Sequence, residues 1–166
     1  MKREADYHII MVCLGNICRS PLAEGILRRK ADARGLNISV DSAGTSDWHE
    51  GEPPDPRSVE IARKKGLDIS GQRSRPFSTE DFEKFDLILC MDKENLQNVL
   101  SLTDKDAHRT KVELMLAYLE EDDLNEVPDP YWGGGFDHVF ELLDRACSNL
   151  CDELAKLPDV NKKEII

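Results

Sequence analysis

Residues 7–13 read YHIIMVC, and residues 14–25 continue as LGNICRSPLAEG. The first segment is a nearly continuous apolar run, which is typical of a strand buried on both faces of a parallel sheet. A glycine-containing loop follows, and Ser20-Pro21 then opens a helix, because proline lacks the N–H that has no partner in a first helical turn. The pattern predicts a strand, a tight loop and a helix from Pro21 to about Arg34.

Strand and helix signals alternate along the rest of the chain. The predicted strands cover residues 38–42, 86–91 and 112–115; the predicted helices cover 56–65, 93–100 and 136–156, a short helix opens at 78–81, and loops cover 46–56 and 122–135. This alternation indicates a parallel sheet with helices on both faces. We therefore expect an α/β fold, with residues 1–166 as a single domain and a four-stranded parallel sheet in a flavodoxin- or Rossmann-like three-layer arrangement.

The composition is that of a globular protein, with 40% hydrophobic and 33% charged residues among 166. No apolar run approaches the length of about 18 residues that spans a membrane, and the residues before the first strand lack signal-peptide features. We therefore expect a cytoplasmic protein without a membrane partner. The net charge of −11 repels phosphate backbones at long range, which argues against a nucleic-acid partner.

The five cysteines are odd in number and irregularly spaced, so we expect reduced thiols rather than a disulfide framework. Neither a paired CxxC set nor a His pair at ligand spacing is present. The sequence therefore predicts no metal site.

The loop CLGNICRS at residues 13–20 has the features of a phosphate site. Successive backbone N–H groups in such a loop form an anion-binding nest, and the following helix N-terminus adds unpaired donors. Arg19 supplies a planar fork that matches two phosphate oxygens. The predicted phosphate-binding residues are Leu14, Gly15, Asn16, Ile17, Cys18 and Arg19.

The same electrostatic field acts on Cys13, which it stabilises as a thiolate beneath the bound phosphorus. This arrangement predicts nucleophilic catalysis of phosphoryl transfer, with Ser20 donating a hydrogen bond to the sulfur when it leaves. The loop is not of the ATP-binding type, because the lysine of GxxxxGK[ST] is absent. The competing interpretation is a buried cysteine before an ordinary strand–helix turn.

The segment PDPYWGGG at residues 128–135 is a second candidate site element. Cleavage of an aryl phosphate needs a proton for the departing phenolate, and a carboxyl group can supply it and then activate water. Asp129 lies between two prolines that restrict its backbone, and Tyr131 and Trp132 can form walls for a substrate ring. Asp-Pro is also a frequent turn, so this motif alone is ambiguous.

Four segments together resemble the low molecular weight protein tyrosine phosphatases. They are VCLGNICRSPLAE at 12–24, DSAGT at 41–45, DLILCMD at 86–92 and PDPYWGG at 128–134. The resemblance covers nearly the whole chain, in the order of the family. It implies that Cys13 is the nucleophile that becomes a phosphocysteine, that Arg19 clamps the phosphate, and that Asp129 is general acid and then general base.

The resemblance also implies supporting roles. Asn16 holds the loop in a strained shape with Ser42 bonded to it, and Ser20 stabilises the thiolate. The residues expected to line the substrate cleft are Trp48, Glu50, Tyr131 and Trp132. Cys18 is expected to form a reversible, protective disulfide with Cys13. One departure is Gln72, in the segment 70–75, near which many relatives carry a histidine.

The implied substrate is a phosphotyrosine-containing protein or peptide, and the implied enzyme is a cofactor-free monomer or weak dimer. A preference for phosphoarginine stays open at this point, as does the alternative of a thioredoxin-coupled arsenate reductase on the same fold. That chemistry needs a relay of thiols: Cys90 lies where such enzymes have one relay cysteine, but residues 91–97 contain no second. A third alternative is a phosphate-binding module without turnover, against which Cys13, Arg19 and Asp129 argue.

Overall fold

The computed structural model of the protein describes residues 5–120 and 124–160. Four parallel strands form one sheet in the order β2-β1-β3-β4. Their bounds are Tyr7–Cys13 for β1, Ile38–Gly44 for β2, Leu87–Cys90 for β3 and Val112–Leu114 for β4. The predicted α/β fold with a four-stranded parallel sheet is therefore confirmed.

Seven α-helices and a 3₁₀ helix connect and follow the strands in this part of the chain. They are α1 Arg19–Ala33, α2 Pro56–Lys64, α3 Asp81–Lys84, α4 Lys93–Leu100, α5 Asp106–Arg109, the 3₁₀ helix Met115–Leu119, α6 Pro130–Gly133 and α7 Phe136–Leu154. The sequence did not predict α5, the 3₁₀ helix or α6. Among the described residues, none of the helices combines the length and the apolar character needed to cross a membrane.

Strand β1 is covered on both faces, as its apolar run predicts. Ile9 and Met11 point into the larger core cluster, which includes the buried side chains of α1 and α7. Ile10 and Val12 point into a second cluster on the opposite face, where Phe82 of α3 is fully buried. Because side chains alternate along a strand, one run of apolar residues serves both layers.

The strand order places β1 between β2 and β3, so its carboxyl end is flanked by a strand on each side. The chain passes from β1 to β2 on one side and then returns to β3 on the other side of β1. In open α/β sheets, ligands bind at such a reversal, beyond the carboxyl ends of the strands. Cys13, the last residue of β1, and Asp92, which follows β3, both lie at this edge.

Helix α1 begins at Arg19, two residues before the predicted start at Pro21. Pro21 is thus the third helical residue, where a missing N–H is still without cost because the first four amides have no partner within the helix. Cys18 at the N-cap makes no side-chain capping bond, and the first turn holds no acidic residue. The N-terminus of α1 is therefore left open to an external anion.

Candidate active site

In the loop between β1 and α1, several backbone carbonyl groups accept hydrogen bonds from other segments of the chain. The bonds are Thr45 N to Cys13 O at 2.8 Å, Ser46 N to Leu14 O at 3.0 Å, Ser74 Oγ to Gly15 O at 3.0 Å and Asp55 N to Ile17 O at 2.8 Å. Each carbonyl that points outward leaves neighbouring amides to point inward. Surrounding segments thus impose the loop conformation that the phosphate site requires.

None of the backbone N–H groups from 14 to 19 donates a hydrogen bond to another described residue. Such a run of unpartnered donors is rare in a folded protein unless a ligand completes it. The donors lie together with the N-terminus of α1, where the helix dipole adds partial positive charge. The loop therefore has the donors to accept an anion with several oxygen atoms.

Asn16 holds the sharpest bend of the loop. Its φ of 56° lies in the left-handed region, which side chains other than glycine adopt at a cost. Its amide nitrogen donates to Ser20 Oγ at 2.8 Å and Ser42 Oγ at 2.9 Å, and its oxygen accepts from the backbone N–H of Arg75 at 3.0 Å. Three bonds on one side chain offset the backbone strain and fix the loop between α1, β2 and residue 75.

Strand β2 supports the loop through Ser42 and Gly44. Ser42 Oγ donates to a buried carboxylate oxygen of Glu24 at 2.9 Å, so its own oxygen is free to accept from Asn16. Burial raises the pKa of Glu24, although the Arg28 guanidinium at 3.1 Å opposes the shift. A Cβ at Gly44 would lie 2.8 Å from a carbonyl oxygen of the loop, so only glycine permits this approach.

Cys13 lies at the bottom of the loop with its side chain buried. Its Sγ is 3.0 Å from Ser20 Oγ. Because Ser20 Oγ already accepts a bond from Asn16, its hydroxyl hydrogen is available to the sulfur. The chain Asn16–Ser20–Cys13 therefore orients one donor onto the sulfur atom.

Arg19 is buried beside this sulfur and is held by three oxygens. Its Nη1 donates to Asp92 Oδ2 at 2.7 Å and to Val127 O at 3.0 Å, and its Nη2 is 3.6 Å from Asp129 Oδ2. Burial opposes the charge on Arg19, but Cys13, Asp92 and Asp129 together raise the pKa of its guanidinium. The side chain is thus a fixed cation whose orientation is set before any ligand arrives.

Asp129 faces the loop from the opposite side. It is the N-cap of α6, where one carboxylate oxygen accepts from Tyr131 N at 3.1 Å. The other oxygen is the one directed at Arg19. The cap thus orients the carboxylate toward the Arg19 guanidinium.

A pocket of about 50 Å³ lies between these groups. Its lining residues are Cys13, Leu14, Gly15, Ile17, Cys18, Arg19, Trp48, His49, Asp129, Tyr131 and Trp132. Trp48 and Trp132 are 71% and 81% exposed, and Tyr131 meets Trp132 edge to face at 4.8 Å. Three of the four predicted cleft residues therefore line the pocket; Glu50 does not and is exposed, and His49 lines the pocket instead.

The remaining cysteines differ in environment from Cys13, and all five are free thiols. Cys18 lines the pocket, and burial, with the nearby charges of Asp55 and Cys13, raises its pKa to about 12. Cys90 is buried in the second core cluster, where burial raises its pKa, and it does not line this pocket. Gln72, the departure from the family pattern, donates to Pro21 O at 3.0 Å and steadies the start of α1.

A family model described as low molecular weight phosphotyrosine protein phosphatase matches residues 8–160. The chain belongs to this family. A putative low molecular weight protein-tyrosine-phosphatase of Synechocystis is 47% identical over 152 residues, which cover 89% of this chain and 96% of that protein. Membership agrees with the resemblance that the four sequence motifs indicate.

Solved structures of family members have the same fold. The crystal structure of YfkJ from Bacillus subtilis superposes with a TM-score of 0.87 at 39% identity and covers 93% of this chain and 98% of that chain. A Drosophila protein whose name is arginine phosphatase superposes with a TM-score of 0.84 at 29% identity, covering 90% and 98%. The family fold therefore accompanies more than one named phosphatase activity.

Sequence reasoning missed two residues that shape the site, Asp92 and Arg75. Asp92 bonds Arg19 with one oxygen and caps α4 with the other, accepting from Asn95 N at 2.8 Å. Its position directly after a buried strand and before a helix is a signal that could have indicated it. The backbone N–H of Arg75 had no comparable signal, because its role depends on Asn16, which is distant in sequence.

Proposed function

We propose that this chain is a protein-tyrosine phosphatase that hydrolyses phosphotyrosine and other aryl phosphates through a phosphocysteine intermediate. The observation that carries this proposal is the single pocket that contains the sulfur of Cys13, a run of unpartnered amides, the fixed cation of Arg19 and the carboxylate of Asp129. Nucleophile, anion cradle and proton donor are the three parts that phosphomonoester hydrolysis by a thiol requires.

In the first step, the thiolate of Cys13 attacks phosphorus in line with the scissile P–O bond. The S–P bond forms as the P–O bond breaks, and Asp129 gives its proton to the departing phenolate oxygen. Loop amides and Arg19 hold the three equatorial oxygens, where charge develops in the transition state. The products are a free phenol and a phosphocysteine.

In the second step, Asp129 acts as a base. Its carboxylate takes a proton from water as the water oxygen attacks phosphorus, and the S–P bond breaks. The electron pair returns to the sulfur of Cys13, where the hydroxyl of Ser20, 3.0 Å away, donates a hydrogen bond to the departing thiolate. Inorganic phosphate is released and the enzyme is restored.

The aromatic rim supports an aryl substrate. Trp48, Tyr131 and Trp132 surround the mouth of a narrow pocket, so a flat ring can stack between them while its phosphate reaches the loop. A panel of peptides carrying phosphotyrosine, phosphoserine or phosphoarginine tests this assignment. We expect release of phosphate from the phosphotyrosine peptide at the highest kcat/KM; a preference for phosphoarginine, or turnover of none, contradicts it.

The arsenate reductase alternative finds no support at the position where its thiol relay would pass. Cys90 is buried on the core side of β3 and does not line the pocket. The presence of Asp129 at the pocket also favours hydrolysis, since thiol exchange needs no such acid. We expect hydrolysis to proceed without thioredoxin.

Asp129→Ala should lower turnover by about 10²–10⁴-fold for phenyl phosphate. The loss should be much smaller for p-nitrophenyl phosphate, whose leaving group departs without a proton. Asp129→Asn is the matched control, because its amide oxygen can still cap α6 at Tyr131, whereas its N–H groups are far too weakly acidic to protonate a leaving group. Steady-state kinetics with both substrates check this, and equal activity of either variant and wild type on phenyl phosphate means that the acid is misassigned.

We also propose Cys18 as the redox partner of Cys13. Peroxide would convert the Cys13 thiolate to a sulfenic acid; the sulfur of Cys18 then attacks it, the S–S bond forms and water leaves. A pKa near 12 keeps Cys18 a thiol beforehand, so peroxide reacts first at Cys13. After peroxide, mass mapping should show a Cys13–Cys18 linkage and dithiothreitol should restore activity; over-oxidised Cys13 without linkage contradicts the proposal.

The partners and setting follow from this assignment. The substrate is a phosphoprotein or phosphopeptide, and no metal or organic cofactor takes part in the proposed steps. The five free thiols suit a reducing compartment, which supports the cytoplasm as the place of action. We propose that residues 1–166 act as one phosphatase domain, as a monomer or weak dimer.

A further inference from the structure

The segment that carries Asp129 has little regular structure of its own. Helix α6 is only four residues long, and Gly134 and Gly135 after it have φ of 81° and 85°. Trp132 in this helix is largely exposed. One hydrogen-bonded turn between glycines and solvent does not fix a carboxylate to within the few tenths of an ångström that proton transfer needs. Contacts from elsewhere must do so.

Arg57 on α2 supplies contacts to both ends of this segment. Its Nη2 donates to the backbone oxygen of Tyr131 at 3.3 Å. Its guanidinium carbon lies 5.7 Å from the ring centroid of Tyr131 and 4.6 Å from that of Phe136, the first residue of α7. Both distances are within the range of cation–π attraction. One side chain thus spans the segment on either side of the glycines.

Asp55 fixes Arg57 in turn. Its two carboxylate oxygens accept from Nε and Nη2 of Arg57 at 3.0 Å each, in a bidentate pair. This hydrogen bonding lowers the pKa of Asp55, so the pair stays ionised through the neutral range. The backbone N–H of Asp55 donates to Ile17 O in the phosphate loop at 2.8 Å. The pair is therefore anchored to the loop on one side and to the Asp129 segment on the other.

We propose that Arg57, held by Asp55, is a positioning residue for the proton-transfer step: it fixes the Asp129 segment relative to the phosphate loop. The proposal rests on the proposed role of Asp129 as the acid. Arg57 does not line the pocket, so it acts through the segment and not on the substrate. A misplacement of about 1 Å can cost 10²-fold in rate, which makes such an anchor measurable in kinetics.

The test compares Arg57→Gln with wild type on phenyl phosphate and p-nitrophenyl phosphate. A positioning role predicts a loss of kcat of about tenfold or more on phenyl phosphate, because only that leaving group depends on the proton, and a change within about threefold on p-nitrophenyl phosphate. Arg57→Lys keeps the cation but loses the planar fork, so it should fall between the two. Arg63→Ala, an exposed arginine of the same helix, is the matched control and should match wild type.

The deciding experiment introduces Arg57→Gln into the Asp129→Asn variant. If Arg57 acts through Asp129, then Arg57→Gln added to Asp129→Asn should cause no further loss on phenyl phosphate. Full additivity of the two changes, or equal losses on both substrates, overturns the positioning role. If Asp129→Asn itself shows no dependence on the leaving group, the proposed function fails instead, and the two failures are thus distinguishable.

A folding defect is separated from a positioning defect by the reactivity of Cys13. In Arg57→Gln, inactivation by iodoacetate and its protection by inorganic phosphate should match wild type, because the phosphate loop keeps its own supports. Unchanged Cys13 chemistry with the leaving-group effect supports the proposal. Loss of phosphate protection together with both activities shows that Arg57 only maintains the fold, and it overturns the proposal.

Discussion

Cys13→Ser is expected to abolish turnover, with a loss on the order of 10⁵-fold or more in kcat. A serine hydroxyl is a weak nucleophile without an adjacent base, and the nearest side-chain oxygen, that of Ser20, is placed as a donor. The substitution is nearly isosteric, so the loop should still bind inorganic phosphate. Stopped assays with p-nitrophenyl phosphate and calorimetric titration with phosphate measure the two properties separately.

The matched control is Cys151→Ala, which changes a buried cysteine of α7 outside the pocket. It should retain wild-type kcat on p-nitrophenyl phosphate. Turnover by Cys13→Ser within about a hundredfold of wild type would exclude a phosphocysteine route. A serine hydroxyl without an adjacent base is too weak a nucleophile to replace the thiolate at that rate. Loss of phosphate binding in the same variant would instead indicate a collapsed loop.

Arg19→Lys is expected to lower kcat/KM by about 10²–10³-fold, the effect of removing one preorganised donor from a transition-state oxyanion. Lysine keeps the positive charge but cannot bond Asp92 and Val127 O while also presenting two parallel N–H groups to phosphate. Weaker competitive inhibition by inorganic phosphate should accompany the lower rate. Both values come from one set of inhibition assays.

Arg34→Lys provides the comparison at a surface site, because Arg34 pairs with Asp152 at 2.8 Å among largely exposed side chains. That change should leave kinetics unaltered, as surface ion pairs contribute little. If Arg19→Lys retains kcat/KM within about tenfold, then charge alone is sufficient and the planar fork has no special role. Its fixed orientation by Asp92 would then serve stability only.

The sequence predicted the sheet well because its signals are local. The apolar run of β1 matches the strand Tyr7–Cys13, and α4 matches its predicted bounds, Lys93–Leu100. Asp55 precedes Pro56 and caps α2, because its acidic side chain accepts from the free amide of Arg57. In each case the residues that create the signal are also the ones that make the contacts.

The misplaced and missed elements leave little signal in the sequence. Helix α1 starts at Arg19, two residues before the predicted start, and the guanidinium of Arg19 is fixed by Asp92 and Val127, which are far away in sequence. Helix α6 lies inside a stretch read as a loop, of which residues 122–123 fall outside the described part of the chain. It consists of a single turn that Asp129 caps, too short to leave a periodic pattern.

For the candidate site too, the sequence indicates features formed by neighbouring residues and not those formed by residues distant in sequence. The motif at 13–20 indicates a loop with free amides, and the structure has those amides without partners among the described residues, because all of them are within the motif. It could not indicate that the side-chain oxygen of Asn16 accepts from the backbone N–H of residue 75, nor that Glu50, unlike its neighbour His49, lies outside the pocket. The side chains of neighbouring loop residues point in different directions, and packing against the rest of the protein sets those directions.

The interior position of β1 has a consequence for hydrogen exchange. Strands β2 and β3 flank it on both sides, so amides from Ile9 to Val12 should exchange with deuterium only when the whole sheet opens. Cys13, the proposed nucleophile, is thus expected to follow directly after the slowest-exchanging amides of the described chain. Phosphate bound to the loop at 14–19 should slow exchange by the same factor at every amide that exchanges only through this global opening, since a ligand that binds the folded state alone raises the free energy of unfolding.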